Sequence, residues 1–124
     1  MVLICGDRNW TDKDIIRAWL SKLQDWGYNT VIEGEARGAD SIARNIAKEL
    51  GFNVEAFPAQ WELFGKAAGM MRNSQMLSFL IRTEKDKPLV VAFHNDIERS
   101  KGTADMVKQA SRQDIEVIIV GEVL

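Results

Sequence analysis

Residues 1–5 (Met-Val-Leu-Ile-Cys) and 88–93 (Pro-Leu-Val-Val-Ala-Phe) are unbroken apolar runs. A strand with one wet face alternates apolar and polar residues. An unbroken run has no wet face and is buried on both sides, as in the interior of a parallel sheet. Parallel neighbours must be joined by crossovers, normally helices, so these runs commit the chain to covering the sheet with helices.

The rest of the chain supplies them. Val31 and Ile32 are β-branched and follow the turn cluster at 27–30. Residues 53–57 alternate and end at Pro58, which predicts an edge strand, and 116–120 form the last apolar run. Between the strands the apolar spacing changes to that of helices. Ile15, Ile16, Trp19, Leu20 and Leu23 form one face after Thr11-Asp12-Lys13-Asp14, which resembles a capping box with Thr11 as the cap. Ile42, Ile46 and Leu50 form another, with Gly51 as the stop. Residues 61–82 read as a short helix, a break at Gly65 and Gly69, and a longer helix with Met70, Met71, Leu77, Leu80 and Ile81 packed inward. Met106, Val107 and Ala110 mark the last helical face.

The predicted class is therefore α/β: a Rossmann-like three-layer sandwich on a parallel five-stranded sheet with right-handed crossovers. Ligand-type loops follow the first, second and fourth strands, and they meet only if those strands are neighbours. Order 3-2-1-4-5 does this, with its switch point between the first and fourth strands. A length of 124 residues fits a single domain, 1–124.

Composition excludes several function classes. A net charge of −2 gives no global basic field, so nucleic acid is not the expected partner. One cysteine, Cys5, and one histidine, His94, exclude an intramolecular disulfide and multi-Cys or multi-His metal sites. No apolar run approaches 18 residues and no signal-peptide pattern opens the chain, so no membrane and a cytoplasmic setting are expected.

The loops carry the chemistry. Gly6 follows the first strand, and Arg8 offers a fork of donors to a phosphate. After the second strand, Gly34 and Gly38 permit close backbone approach, and the helix start beyond them suits a phosphate or a carboxylate. Glu33, Arg37 and Asp40 are polar groups of that loop; Glu33 at the strand end suits a ribose hydroxyl, and Asp40 suits either a ligand or a helix cap. Arg72-Asn73 place a cation and an amide near a helix start, and Ser100, Gly102 and Thr103 form a second anion-type helix start. His94 reads as scaffold before catalyst. Neither G-x-G-x-x-G nor the P-loop pattern is present.

Taken in order, Gly6-Asp7-Arg8-Asn9-Trp10-Thr11, Gly34-Glu35-Ala36-Arg37-Gly38-Ala39-Asp40, Pro58-Ala59-Gln60-Trp61, Gly65-Lys66-Ala67-Ala68-Gly69, Arg72-Asn73 and Ser100-Lys101-Gly102-Thr103 resemble the SLOG superfamily. The resemblance is narrower to its small YspA/YpsA-related branch of bacteria and phages. It implies a Rossmann-like domain that binds or senses a nucleotide or nucleotide-derived ligand. The phosphate side would hold Arg8, Gly34, Gly38, Arg72, Ser100, Gly102 and Thr103, with Glu33 and Asp40 near the ribose and Gly6, Arg37 and Asn73 as further ligand-binding residues.

LOG-type relatives in the superfamily are phosphoribohydrolases that cut the N-glycosidic bond of a nucleoside monophosphate. Their pattern pairs an Arg with a P-G-G-x-G-T-x-x-E loop. Here Arg72 and Gly102-Thr103 match, the P-G-G segment is missing, and the Glu position is Met106. Asp105 lies one residue away, a rotation of roughly 100° on a helix. The alternative reading is thus an N-glycosidase with Glu33, Arg72 and Asp105 as its catalytic residues. No cofactor or metal is expected. A homo-oligomer is expected from four Trp, five Met and five Phe in so small a chain, and from the LOG-type likeness.

Overall fold

A computed structural model describes residues 1–122. Its sheet is parallel and five-stranded: β1 (Val2–Gly6), β2 (Thr30–Glu33), β3 (Asn53–Ala56), β4 (Leu89–Phe93) and β5 (Glu116–Val120), in the order β3-β2-β1-β4-β5. The fold is Rossmann-like, and β1 and β4 are its central pair. Their register runs from Val2 opposite Leu89 to Gly6 opposite Phe93, so the two strands end level.

Helices α1 (Lys13–Asp25) and α2 (Ala39–Glu49) cover one face. A short α3 (Trp61–Phe64) and a 3-10 turn (Gly65–Ala67) lead to α4 (Ala68–Thr83), which with α5 (Gly102–Arg112) covers the other. Strand alternation sorts the sheet side chains between the layers. Val2, Ile4, Val31 and Val91 pack under α1 and α2, while Leu3, Cys5, Ile32, Val90 and Ala92 pack under α4 and α5. Full burial of side chains such as Ile16, Leu20 and Leu80 is worth about 1.5–3 kcal/mol each. The edge strand β3 ends before Pro58, as the alternation implied.

Two local expectations are corrected. The cap of α1 is Asp12, not Thr11: its Oδ1 accepts the Ile15 amide at 3.1 Å. The buried Trp10 sets this register, because its indole N–H donates to the Asp12 carbonyl at 2.8 Å while its ring meets Phe93 edge-on. Met70 and Met71 do not pack inward. In the first turn of α4 only Ala68 and Asn73 just beyond it are buried, and the inward methionine is Met76, with Leu77 and Leu80.

Candidate functional site

The level ends of β1 and β4 open a cleft of about 400 Å³ at the carboxyl edge of the sheet. Gly6, Arg8, Asp40, Arg72, Asn73, Ser100, Gly102 and Thr103 all line it, so most of the residues singled out by sequence converge here. A second cleft, of about 590 Å³, continues from it and shares Arg8, Arg72, Lys101 and Gly102. Its own walls include Gly34, Arg37, Pro58, Trp61, Lys66 and Met70.

Close backbone packing pins the loops together. A β-carbon on Gly6 would collide with the Phe93 carbonyl and stand 2.8 Å from the Ala39 side chain. Gly38 has φ +70 and faces the backbone of Asp7 and Arg8, with no room for a side chain. Gly38 lines neither cleft among the described residues, and its contacts are with the backbone of the loop after β1. The Asp7 carbonyl accepts from the Ala39 amide at 3.0 Å, satisfying one of the free donors at the start of α2.

The glycine loop after β2 holds an anion already: its own Asp40. Oδ2 of Asp40 accepts the amides of Gly34 at 3.1 Å and Ala36 at 3.3 Å. Asp40 therefore does not cap α2; through Oδ2 it folds the loop that precedes its helix, while the residue also lines the first cleft. Burial raises its pKa to about 6, against the opposing pull of these amides and of Arg72. The carboxylate that suits a helix start is supplied internally, which moves the open anion-binding surface to the other side of the cleft.

That surface is built by α4 and α5. Arg72 Nη1 donates to the Gly34 carbonyl at 2.6 Å, and Nε to Asn73 Oδ1 at 3.3 Å, which aims the remaining guanidinium edge at both clefts. Asn73 is buried and its Nδ2 donates to the Gly102 carbonyl at 3.1 Å and to Asp105 Oδ2 at 3.0 Å. It thereby fixes the start of α5 against α4. Ser100 Oγ accepts the Thr103 amide at 2.9 Å, capping α5 at the cleft wall. Arg8 and Lys101 are exposed at the rim of both clefts. Cations on two loops, a guanidinium from α4 and the positive end of α5 thus surround one space.

The carboxylates proposed for catalysis are elsewhere. Glu33 has no exposed surface and lines neither cleft among the described residues. Strand alternation puts it on the α2 side with Val31. Its Oε2 accepts the Glu35 amide at 2.6 Å, and its Oε1 has no partner among the described residues. Burial pushes its pKa up to about 7. Asp105 is tied to Asn73 and to Gln109 Nε2 at 2.8 Å, and it lines a separate cleft between α4 and α5. Met106 lies in the core beneath α5, so the LOG-type acid position points into the sheet rather than the cleft. Cys5 lies on the floor of the first cleft, with its thiol pushed far up by burial and so inert.

Sequence reasoning missed Asp7 as a site residue and set His94 aside as scaffold, yet both line the first cleft. The signal was present: each is the residue directly after one of the two central strands, where ligands bind in open α/β sheets. Lys101 and Trp61 were likewise seen only as motif members.

Residues 1–64 match the YAcAr family, described as the YspA, cpYpsA-related SLOG family. The chain is also 38% identical over 128 residues to the Gene 61 protein of Mycobacterium phage D29, a match that spans 98% of this chain and 96% of that protein. Among the described residues no helix is long and apolar enough to cross a membrane.

Proposed function

Since this chain belongs to the YspA, cpYpsA-related SLOG family, we propose that it binds or senses a nucleotide or nucleotide-derived ligand in the paired clefts. The observation that carries this reading is the convergence of Arg8, Arg72, Lys101 and the capped start of α5 on one space between β1 and β4. A phosphate there meets charge-assisted donors from three elements. The second cleft offers the exposed Trp61 and Pro58 as a platform for a base. Native mass spectrometry of protein purified from its host tests the reading. A retained mass of a nucleotide or nucleotide derivative supports it, and a bare chain with no uptake from a nucleotide mixture opposes it.

The alternative, N-glycosidase activity on a nucleoside monophosphate, needs a carboxylate within reach of the ribose or its attacking water. Burial of Glu33 and the engagement of Asp105 count against it, and binding is the reading we adopt. The proposal includes a cytoplasmic setting and a homo-oligomer. Supporting the latter, Leu63 is 72% exposed, and Phe64 on α3 and Met71 on α4 are also exposed. Light scattering at micromolar concentration checks this; a monomer contradicts it.

A further inference from the structure

Asp7 and His94 have no part in the anion surface, yet their side chains are held in the cleft with one free atom each. Asp7 donates its amide to the Phe93 carbonyl at 2.8 Å, and its Oδ1 accepts the Asn9 amide at 2.8 Å, leaving Oδ2 open. His94 donates its amide to the Val120 carbonyl at 2.9 Å, and its Nδ1 accepts the Asp96 amide at 2.9 Å. A ring nitrogen that accepts an N–H carries no proton, so the proton of the neutral imidazole is on Nε2. His94 is thereby fixed as a donor and Asp7 as an acceptor.

The two free atoms face each other without bonding. Nε2 and Oδ2 stand 4.0 Å apart, too far for a hydrogen bond. That gap admits one oxygen atom about 2.8 Å from both. The bridging group must accept from an imidazole N–H and donate to a carboxylate. A phosphate oxygen accepts but is repelled by Asp7, a base carbonyl cannot donate, and an amino group cannot accept. A hydroxyl does both, and so does a water molecule, whose place a ligand hydroxyl would take. The geometry points to Asp7 and His94 as a pair that reads a ribose hydroxyl, the role that sequence gave to Glu33 and Asp40. This rests on the nucleotide reading of the same cleft and narrows the ligand to one with a free 2′ or 3′ hydroxyl. A site built around a hydroxyl discriminates against an analogue that lacks it, because its polar groups are then left unpaired.

The test is calorimetric binding of the four ribonucleoside 5′-monophosphates and their 2′-deoxy and 3′-deoxy counterparts. Wild-type protein should bind at least one ribonucleotide tenfold or more tightly than one of its deoxy forms. Asp7→Asn keeps an oxygen for the Asn9 amide, and His94→Asn keeps an acceptor near the Nδ1 position while removing the Nε2 donor. Each should erase the preference, so that the ribo and deoxy forms bind the variant with equal affinity. Equal wild-type affinity for ribo and both deoxy forms overturns the pair and leaves the nucleotide reading standing. A preference that survives in both folded variants also overturns it. No binding of any of these nucleotides overturns the pair and, with it, the reading of the cleft as a mononucleotide site. If either variant fails to fold, the wild-type comparison alone still decides.

Discussion

The Arg72 guanidinium lies against Gly34: Nη1 donates to the Gly34 carbonyl at 2.6 Å, and a β-carbon on residue 34 would stand 2.7 Å from that same nitrogen. One helix side chain and one loop glycine therefore determine each other's position. The bond ties α4 to the loop after β2 and turns the rest of the guanidinium toward the clefts.

This contact sets the first prediction. Arg72→Ala should weaken a phosphate-bearing ligand by about 1.5–3 kcal/mol, the range for hydrogen bonds to charged groups. It should also cost about 1 kcal/mol of stability, because the Gly34 carbonyl loses its donor. Gly34→Ala should reduce binding by displacing the guanidinium. Calorimetry on the two single variants and the double variant should show strong non-additivity, as for any pair in direct contact. Independent, additive losses would separate the two residues.

Gly38→Ala should destabilise the fold by about 3 kcal/mol. It combines a left-handed backbone with a side chain driven into Asp7 and Arg8. Urea unfolding measures this, and a change near zero would mean that the loop after β1 moves freely away from α2.

Asn73→Ala should cost about 2–3 kcal/mol. It leaves the Gly102 carbonyl and Asp105 without their buried donor. Amide exchange at the start of α5 should quicken more than exchange in β1. Uniform quickening would assign Asn73 to global stability alone.

The two buried acids predict a pH dependence. Burial raises Glu33 to about 7 and Asp40 to about 6, above their unfolded values. The folded chain then holds protons that the unfolded chain has released. The contribution of these two groups to stability is greatest below the ordinary carboxyl range, falls as pH rises toward about 7, and levels off above it. Glu33→Gln should flatten much of that slope and stabilise the protein at pH 8, by about 3 kcal/mol at most. Denaturant titrations from pH 5 to about 8 read the slope. An unchanged slope in Glu33→Gln would show that Glu33 is ionised in the folded chain at low cost.

The sheet was legible because its signals are local and strong. The unbroken runs of β1 and β4 exclude a wet face, and the loops after β1, β2 and β4 require those strands to be neighbours. Convergence of Arg8 with Ser100–Thr103 followed from strand order, whereas Arg72 and Asn73, on α4 after the edge strand, joined the site through the family resemblance. What the sequence left hidden depends on side-chain direction and on prior occupation. Glu33 sits at the right strand end but on the face beneath α2. Asp40 sits at the right helix start, but its Oδ2 is taken by the amides of Gly34 and Ala36. Asp7 and His94 looked ordinary because what brings them together is the level ending of two strands far apart in the chain.

The most direct measurement of nucleotide binding is a thermal-shift panel of ribonucleoside monophosphates and ADP-ribose on wild-type protein and Arg72→Ala, followed by chromatography after overnight incubation. At a ligand concentration a hundredfold above its dissociation constant, binding should stabilise the wild type by about 2.7 kcal/mol. At least one ligand should raise the melting temperature of the wild type, the rise should be largely lost in Arg72→Ala, and the nucleotide should be recovered intact. No shift with any of them, or a shift unchanged in Arg72→Ala, contradicts a phosphate site at this cleft, and free base released in proportion to protein contradicts the binding reading in favour of the glycosidase.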